Sequence, residues 1–147
     1  PQWAGPNPVA VGLNRNASYA LATPGSYLPI QREWMSGDSI SVGLRMTLTS
    51  TRYIGLNQIH GSSRFGLEFG PTPLAAGPSS ANLWDPATNC LHLPNDPEQP
   101  DTWLQPVTGI PLHFSVTLRH GTVVFMPYYE VNDQLMTVFP CFPMTVA

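Results

Sequence analysis

Apolar and polar residues alternate along several stretches of the chain, which is the pattern of a β-strand with one buried face. In the segment RFGLEFG, Phe65, Leu67 and Phe69 fall on the same side. A longer run places five apolar residues on one face: Ile40, Val42, Leu44, Met46 and Leu48. Residues 112–118 alternate in the same way. Each of these apolar faces is predicted to lie in the core.

Glycine and proline separate these alternating runs along the whole chain, which contains 12 glycines and 17 prolines. Both residues weaken a helix interior, and no stretch of about eleven residues has the period of an amphipathic helix. Short strands between Gly/Pro turns are instead typical of antiparallel sheets packed face to face. The pattern therefore predicts an all-β protein, a single jelly-roll-like antiparallel β-sandwich of about seven to nine strands.

Three segments add detail to this fold. Residues 78–111 contain a proline every few positions, which predicts a long ordered insertion. In residues 1–14, Val9, Val11 and Leu13 alternate with small residues, so this segment is either an ordinary first strand or an extended arm that pairs with an exposed sheet edge of another subunit. Residues 15–147 then form the sandwich domain. Further strands are predicted at 123–126, covered on both faces, and at 135–139.

Charged residues are scarce. Asp, Glu, Lys and Arg make up 10% of the chain, which has no lysine and a net charge of −3, whereas about 25% is ordinary. Nucleic acids and anionic membrane surfaces both require clustered cations, so neither is an expected partner. No stretch approaches the roughly 18 apolar residues of a membrane-spanning helix. A surface with so little self-repulsion tolerates close packing against other subunits or a coat of glycans.

Two features bear on the cellular compartment. Cys90 and Cys141 are the two cysteines; in an extracellular chain we expect them to pair, whereas in the cytosol they would be buried free thiols. A disulfide closing so long a loop stabilises by about 4 kcal/mol in the chain-entropy model. The triplet at Asn16 matches the N-glycosylation acceptor sequence. We interpret the chain, which begins at Pro1, as a processed product or part of a longer protein, located outside the cell or at its surface.

The histidines and acidic residues form no recognisable metal site. Cys90 and His92 offer two ligands, but a second pair at zinc spacing is missing. His113 and His120 are separated by an odd number of residues, which places them on opposite faces of a continuous strand. The acidic turn at residues 96–101 lacks the ligand periodicity of an EF-hand. No metal and no cofactor is expected.

Catalytic residues are equally hard to assemble from the sequence. The four carboxylates that would have to pair for glycoside hydrolysis are widely separated: Glu33, Glu68, Glu130 and Asp133. No G-x-S-x-G nucleophile motif and no phosphate-binding glycine loop occurs. The sequence therefore predicts a protein that is not an enzyme.

Aromatic residues are the best sign of a binding surface. Trp84 and Trp103 flank the insertion, and Tyr128 and Tyr129 follow a predicted strand. Exposed rings stack on the apolar faces of sugars, although large aromatic side chains also dominate sandwich cores. Two adjacent tyrosines in extended backbone point to opposite faces, which would leave at least one exposed. Trp84, Trp103 and Tyr128 are therefore candidate sugar-stacking residues, with core packing as the alternative.

Three patches resemble one known family in their order and spacing. They are WMSGDSISVGLRM at 34–46, RFGLEFGPTPLAAGP at 64–78 and VVFMPYYEV at 123–131. Together they resemble the C-terminal β-sandwich region of the β-L-arabinofuranosidase-like glycoside hydrolases. In that family a strand with Gly-Asp precedes one ending in Tyr-Gly-Pro, and a later strand ends in Pro-Phe/Tyr-Tyr. The resemblance covers most of residues 27–139.

The resemblance implies the sandwich architecture, with Gly37-Asp38 in a turn and Gly70-Pro71 at the end of a strand. Catalysis in that family takes place in an upstream helical barrel, where a zinc-bound cysteine is held among further cysteines and a glutamate. This chain has no such barrel, and its two cysteines do not reproduce that cluster. The resemblance therefore assigns no catalytic residue here.

Two functions fit these observations. The first is a non-catalytic, extracellular structural module that self-associates through strand pairing, as in a filament or surface layer. The low charge and the pairing arm favour it. The alternative is an accessory carbohydrate-binding module of a glycoside hydrolase, which the resemblance and the aromatic residues favour.

Overall fold

A computed structural model describes residues 7–77, 84–132 and 136–144, without the side chains of residues 17 and 18. The regular structure of these residues is β-strand, apart from two short 3₁₀ turns at Pro100–Thr102 and Tyr128–Glu130. The predicted all-β, sandwich-like fold is confirmed. The chain divides into two compact units, and the boundary between them in the sequence lies between Thr47 and Leu48.

The smaller unit is built on a three-stranded antiparallel sheet. Its strands are β1 (Val9–Leu13), β2 (Asn16–Ala22) and β3 (Ile40–Gly43), in the order β2-β1-β3. The predicted division between residues 14 and 15 falls in the turn that joins β1 to β2. β1 is therefore the central strand of this sheet and pairs on both sides within its own chain.

Polar side chains tie the β1–β2 turn to the segment before β3. Asn14 has a φ of 55°, a left-handed conformation that asparagine adopts more readily than most residues. Its Nδ2 donates to Asp38 Oδ1 at 2.8 Å, and its Oδ1 accepts from the Ser39 backbone N–H at 2.8 Å. Arg32 Nη2 lies 3.2 Å from Asp38 Oδ2. The turn expected at Gly37-Asp38 is present, and Asp38 is its main hydrogen-bond acceptor.

The larger unit contains nine strands among its described residues. They are β4 (Leu48–Arg52), β5 (Ser62–Phe69), β6 (Thr72–Ala76), β7 (Trp84–Asp85), β8 (Cys90–Leu91), β9 (Gln105–Pro106), β10 (Phe114–Leu118), β11 (Gly121–Pro127) and β12 (Cys141–Pro143). Seven of these strands form one antiparallel sheet in the order β12-β5-β6-β11-β10-β9, with β4 also paired to β5. This sheet curls into a half-barrel. β7 and β8 form a separate two-stranded ribbon.

The core lies inside this curled sheet. Its buried apolar side chains come from β5, β6, β8, β10, β11, β12 and the segment between β8 and β9: Phe65, Leu67, Leu74, Ala76, Leu91, Leu93, Leu104, Phe114, Val116, Val123, Phe125 and Phe142. Phe65 and Leu67 are buried as predicted, and Phe69 packs against them from the rim. The strand end expected at Gly70-Pro71 is also present, because β5 ends at Phe69 and β6 begins at Thr72.

The proline-rich segment contributes to the core. The described part of residues 78–111 carries β7, β8, a 3₁₀ turn and β9, whereas residues 78–83 lie outside the described chain. Leu91, Leu93 and Leu104 are each at most 2% exposed. These side chains cover the inner face of the curled sheet, so the segment behaves as a second layer of the sandwich.

The long alternating run from Ile40 to Leu48 is not one strand, and this prediction was wrong. β3 stops at Gly43, residues 44–47 have no regular structure, and β4 starts again at Leu48 in the other unit. Ile40, Val42, Leu44 and Met46 are between 43% and 54% exposed and do not lie in the core. All four residues of β3 are exposed, so the sequence alternation does not mark a buried face there.

Three other predicted strands differ from the observed ones in their bounds or burial. β10 begins at Phe114 because Leu112 has a φ of 59°, outside the extended region. In β11, Val123 and Phe125 are buried and the residues beside them are half-buried, so one face is more deeply covered than the other. Of residues 135–139, the described part makes only an isolated bridge from Thr137 to Ala76, and Leu135 lies outside the described residues.

Candidate functional site

A hydrogen-bonded turn between β7 and β8 forms one wall of the candidate site. Asp85 Oδ2 accepts from the Thr88 hydroxyl at 2.7 Å, and Asp85 Oδ1 accepts from the Ala87 backbone N–H at 2.9 Å. These two bonds, that of Thr88 first, lower the pKa of Asp85 below its ordinary value. The Thr88 hydroxyl also lies 2.9 Å from His92 Nε2. The turn is therefore fixed by its own side chains.

A disulfide anchors this turn to the main sheet. Cys90 and Cys141 are bonded as predicted, across a sequence separation of 51 residues. The Leu93 backbone N–H donates to the Cys141 carbonyl at 2.8 Å, and His92 forms a parallel bridge with Cys141. Covalent and backbone bonds thus hold the β7–β8 ribbon beside β12 and β5.

The opposite wall is built around Arg64 on β5. Its guanidinium carbon lies 4.4 Å from the centre of the Tyr53 ring and 5.8 Å from that of Phe139. The two rings are themselves 4.8 Å apart. Arg64 Nη1 donates to the Asn57 carbonyl at 3.0 Å. Cation–π contacts and this hydrogen bond fix the position of the charged group.

Between these walls lies a cleft of about 750 Å³, within the usual size range of small-molecule sites. We call it the Arg64 cleft. Its lining residues come from the β4–β5 connection, β5, the β7–β8 ribbon and the segment before β12: Asn57, Gln58, Ile59, Arg64, Trp84, Ala87, Thr88, Asn89, Cys90, Met136, Thr137, Val138 and Phe139. Amide, hydroxyl, indole and guanidinium groups therefore line one depression on the larger unit.

Two asparagines on facing sides of the cleft have left-handed backbone. Asn57 has a φ of 60° and Asn89 a φ of 51°. Such conformations are uncommon outside glycine and often mark functional positions. Asn89 Oδ1 also accepts a 2.9 Å hydrogen bond from the Trp84 indole N–H. This bond orients the amide and the indole relative to each other.

The three predicted sugar-stacking aromatics lie in different surroundings. Trp84 lines the cleft while part of it packs against the core. Trp103 is half-buried and packs against the core, with its ring 6.0 Å from that of Phe142. Its indole N–H donates to the Asp96 carbonyl at 2.7 Å. Tyr128 and Tyr129 are 50% and 66% exposed, but they lie in a 3₁₀ turn rather than in extended backbone. The structure therefore brings one of the three to the cleft.

The proposed pairing arm and glycosylation site both lie in the smaller unit. Val11 and Leu13 are buried, Val9 is half-buried, and all three belong to the central strand β1. Asn16 is exposed at the start of β2, as glycan attachment requires. Neither feature belongs to the Arg64 cleft.

The side chains of Cys90, His92 and Cys141 form the one cluster of metal-ligating residue types found among the described residues, and their ligand atoms lie within 4.8 Å of one another. Both sulfurs are joined in the disulfide, and a metal requires thiolates as ligands. In the disulfide form this group is a structural crosslink.

The acidic turn at residues 96–101 uses its carboxylate for its own backbone. Asp96 Oδ1 accepts from the Glu98 N–H at 2.9 Å, and Asp96 Oδ2 accepts from Gln99 Nε2 at 3.2 Å. These bonds shape the turn that leads into the 3₁₀ segment.

The three described carboxylates considered for hydrolysis lie on different elements of the chain. Glu33 is exposed in the smaller unit. Glu68 lies on β5 opposite Thr49 and Pro73. Glu130 Oε2 is 3.6 Å from His113 Nε2. Asp133 lies outside the described residues. Among the described residues that line the Arg64 cleft there is no carboxylate.

Sequence reasoning missed Arg64, Asn57 and Asn89. Alternation along β5 already placed Arg64 on the face opposite Phe65, which is a signal that it points away from the core. Its aromatic partners, Tyr53 and Phe139, are far apart in the sequence and pair only in the fold. The left-handed conformation of the two asparagines has no signature in a single sequence.

Comparison with known proteins found no matching family model, no matching curated protein and no matching solved structure. The resemblance to the sandwich region of the glycoside hydrolases stays a prediction. In the described parts of the chain, no helix is long and apolar enough to cross a bilayer.

Proposed function

We propose that this chain is a non-catalytic, extracellular β-sandwich module that binds carbohydrate in the Arg64 cleft. The observation that carries the proposal is the convergence of Trp84, Arg64, Asn57 and Asn89 on one depression held by a disulfide. The sequence resemblance to the C-terminal sandwich of glycoside hydrolases supports the same class of function. A module of this kind would hold a glycan close to a partner enzyme or to a surface.

The cleft offers the groups that a sugar needs. Amides donate and accept at once, so they match the mixed donors and acceptors of vicinal hydroxyl groups. An indole face packs against the apolar C–H face of a pyranose or furanose ring. Because Asn89 and Trp84 are bonded to each other, the two kinds of contact are oriented before the ligand arrives, which reduces the entropy that binding costs.

The test is a binding screen of the intact chain by isothermal titration calorimetry against neutral and acidic oligosaccharides of plant and algal cell walls. We expect at least one glycan to bind with a dissociation constant in the micromolar to millimolar range. The paired variants Asn57→Gly and Asn89→Gly remove the amides without straining the backbone, because glycine adopts a positive φ freely. We expect them to weaken binding about tenfold when combined.

The matched control is Asn132→Gly, which removes an exposed amide that does not line the cleft. It is expected to leave the affinity unchanged. Absence of binding to every glycan, or equal binding by the double variant and the wild type, would contradict the proposal.

A second candidate function is self-association through β3, and a specific observation favours it. In the described chain β3 pairs only with β1, so its other edge is free for a strand of another copy. Its apolar side chains Ile40 and Val42 are 48% and 54% exposed. They share a face with Leu13 and Val11, their cross-strand partners. The pairing element proposed here is β3, because β1 is the middle of the sheet.

This second candidate is tested by sedimentation velocity over a wide range of protein concentration. Val42→Lys places a charge on the apolar face at the free edge and is expected to shift the chain to monomer. Leu21→Lys is the matched control, since Leu21 is 69% exposed and pairs with Ala10, on the other face of the sheet. A wild type that is monomeric at every concentration, or association that survives Val42→Lys, would rule this candidate out.

A further inference from the structure

We propose that the sugar bound in the Arg64 cleft carries a carboxylate, and that Arg64 recognises it. The ligand class is then an oligosaccharide that contains uronic acid. This inference rests on the proposed carbohydrate function and adds the chemical identity of the recognised group. It follows from the position, the charge and the unsatisfied hydrogen-bond donor of one side chain.

Arg64 is held with part of its hydrogen-bonding capacity unused. Packing against Tyr53 and Phe139 restricts the plane of the guanidinium, and Nη1 donates to the Asn57 carbonyl. Nε is buried and has no hydrogen-bond partner among the described residues. A guanidinium receives a carboxylate with charge-assisted and often paired hydrogen bonds.

The charge of Arg64 is also unpaired. It forms no ion pair with the described acidic residues, and it is the one charged side chain among those that line the cleft. A partly desolvated guanidinium without a counter-charge is costly to the fold, and a donor without an acceptor adds to that cost. An anionic ligand that occupies the cleft compensates for both.

The neutral groups of the cleft define the rest of the ligand. Asn57, Asn89 and Trp84 suit hydroxyl groups and a ring face, which a simple carboxylic acid does not have. A sulfated sugar shares the negative charge with a uronic acid. The planar two-oxygen geometry of a carboxylate, however, matches the planar fork of a guanidinium better than a tetrahedral sulfate does.

The experiment compares three ligands on the intact chain by calorimetry: tetragalacturonate, its fully methyl-esterified form and a sulfated galactan tetrasaccharide. Esterification removes the charge and keeps the sugar rings, so the comparison needs no change to the protein. We expect tetragalacturonate to bind at least tenfold more tightly than either of the other two, and this preference to shrink as salt concentration rises.

Protein variants provide the second arm. Arg64→Gln is expected to reduce the affinity for tetragalacturonate to that of the ester, and Arg64→Lys, which keeps the charge without the fork, to lie between them. Arg119→Gln, a change at an exposed arginine in the β10–β11 turn, is the control and is expected to bind as the wild type does. Circular dichroism confirms that each variant is folded.

The outcomes separate the two proposals. Equal affinity for the acid and the ester, or unchanged acid binding by a folded Arg64→Gln variant, overturns the carboxylate inference and leaves carbohydrate binding standing. Preference for the sulfated ligand also overturns it. Binding of none of the three, together with a negative glycan screen, overturns both.

Discussion

At the residue scale, the candidate site depends on side chains that serve both the fold and the ligand surface. Arg64 packs against the paired rings of Tyr53 and Phe139 and also lines the cleft. Asn89 shapes the turn through its left-handed backbone and binds Trp84 through its amide. Asp85 fixes the same turn from the other end. The chemistry of the cleft is thus built from residues whose conformations are set by neighbours.

The lowered pKa of Asp85 predicts a specific acid sensitivity. Its folded-state pKa lies below the ordinary value of 3.8, so the unfolded chain takes up the proton first. The stabilisation is complete above that ordinary value and is lost as the pH falls through the folded-state value. We expect the melting temperature of the wild type to drop more steeply between pH 6 and about pH 3 than that of Asp85→Asn.

Thr88→Val provides the internal check on that prediction, because the Thr88 hydroxyl is the main cause of the shift. Like Asp85→Asn, it is expected to make the melting temperature fall less steeply as the pH is lowered. Wild-type and variant curves that run parallel over this pH range would show that the turn does not depend on the ionised carboxylate. In the smaller unit the pKa of Asp38 is also lowered, first by the hydrogen bond from the Met35 backbone N–H. Its ionised carboxylate therefore contributes an acid sensitivity of the same direction.

At the element scale, the sequence predicted strands well where the alternating residues pack against one core. It failed where the packing depends on residues far apart in the sequence. β5 and β10 were evident because their apolar residues face one core. The run through Ile40 and Leu48 looked like one strand, because alternation reports a face and does not report which sheet the face belongs to. The core role of residues 90–104 was not predicted for a related reason. The prolines interrupt the alternation, so the three leucines that complete the core show no strand pattern in the sequence.

The core role of the proline-rich segment gives a direct prediction. Leu104 is 2% exposed, and Leu104→Ala leaves a cavity in the centre of the larger unit. We expect it to lower the free energy of unfolding by about 3 kcal/mol in urea titrations. Ile110→Ala, at a side chain that is 49% exposed in the same segment, should change it by less than about 0.5 kcal/mol.

A small effect of Leu104→Ala would mean that the segment covers the sheet loosely. In that case the β7–β8 ribbon would depend on the disulfide and its backbone bonds to β12, and the wall of the Arg64 cleft would have little support from the core.

At the scale of the whole molecule, the chain combines two units with different surfaces. The larger unit carries the disulfide, the core and the Arg64 cleft. The smaller unit carries the exposed Asn16 and a sheet edge with exposed apolar residues. The sequence alone could predict the all-β class and the disulfide. It could not predict the division at Thr47, because alternation continues across this point without a change in composition.

That division predicts the pattern of limited proteolysis. Residues 44–47 are exposed and lie outside any strand, and Arg45 offers a tryptic site there. Exposed backbone without strand pairing is cut first. We expect an early product that begins at Met46, identified by mass spectrometry. Within it Arg52 and Arg64 lie in strands, so a later cut is expected after Arg119, in the β10–β11 turn.

Resistance of the Arg45 bond under conditions that cleave after Arg119, in the β10–β11 turn, would contradict this division of the chain. Rapid loss of the product beginning at Met46 would show that the larger unit is not stable without the smaller one.

Carbohydrate recognition in the Arg64 cleft is tested most directly by a nuclear magnetic resonance titration of the ¹⁵N-labelled chain with the tightest-binding glycan. The indole N–H of Trp84 and the side-chain amides of Asn57 and Asn89 are expected to shift with a common dissociation constant. The indole N–H of Trp103, which is bonded to the Asp96 carbonyl and does not line the cleft, is expected to stay in place. Shifts that leave these three groups unmoved, or that centre on another surface, would contradict the account.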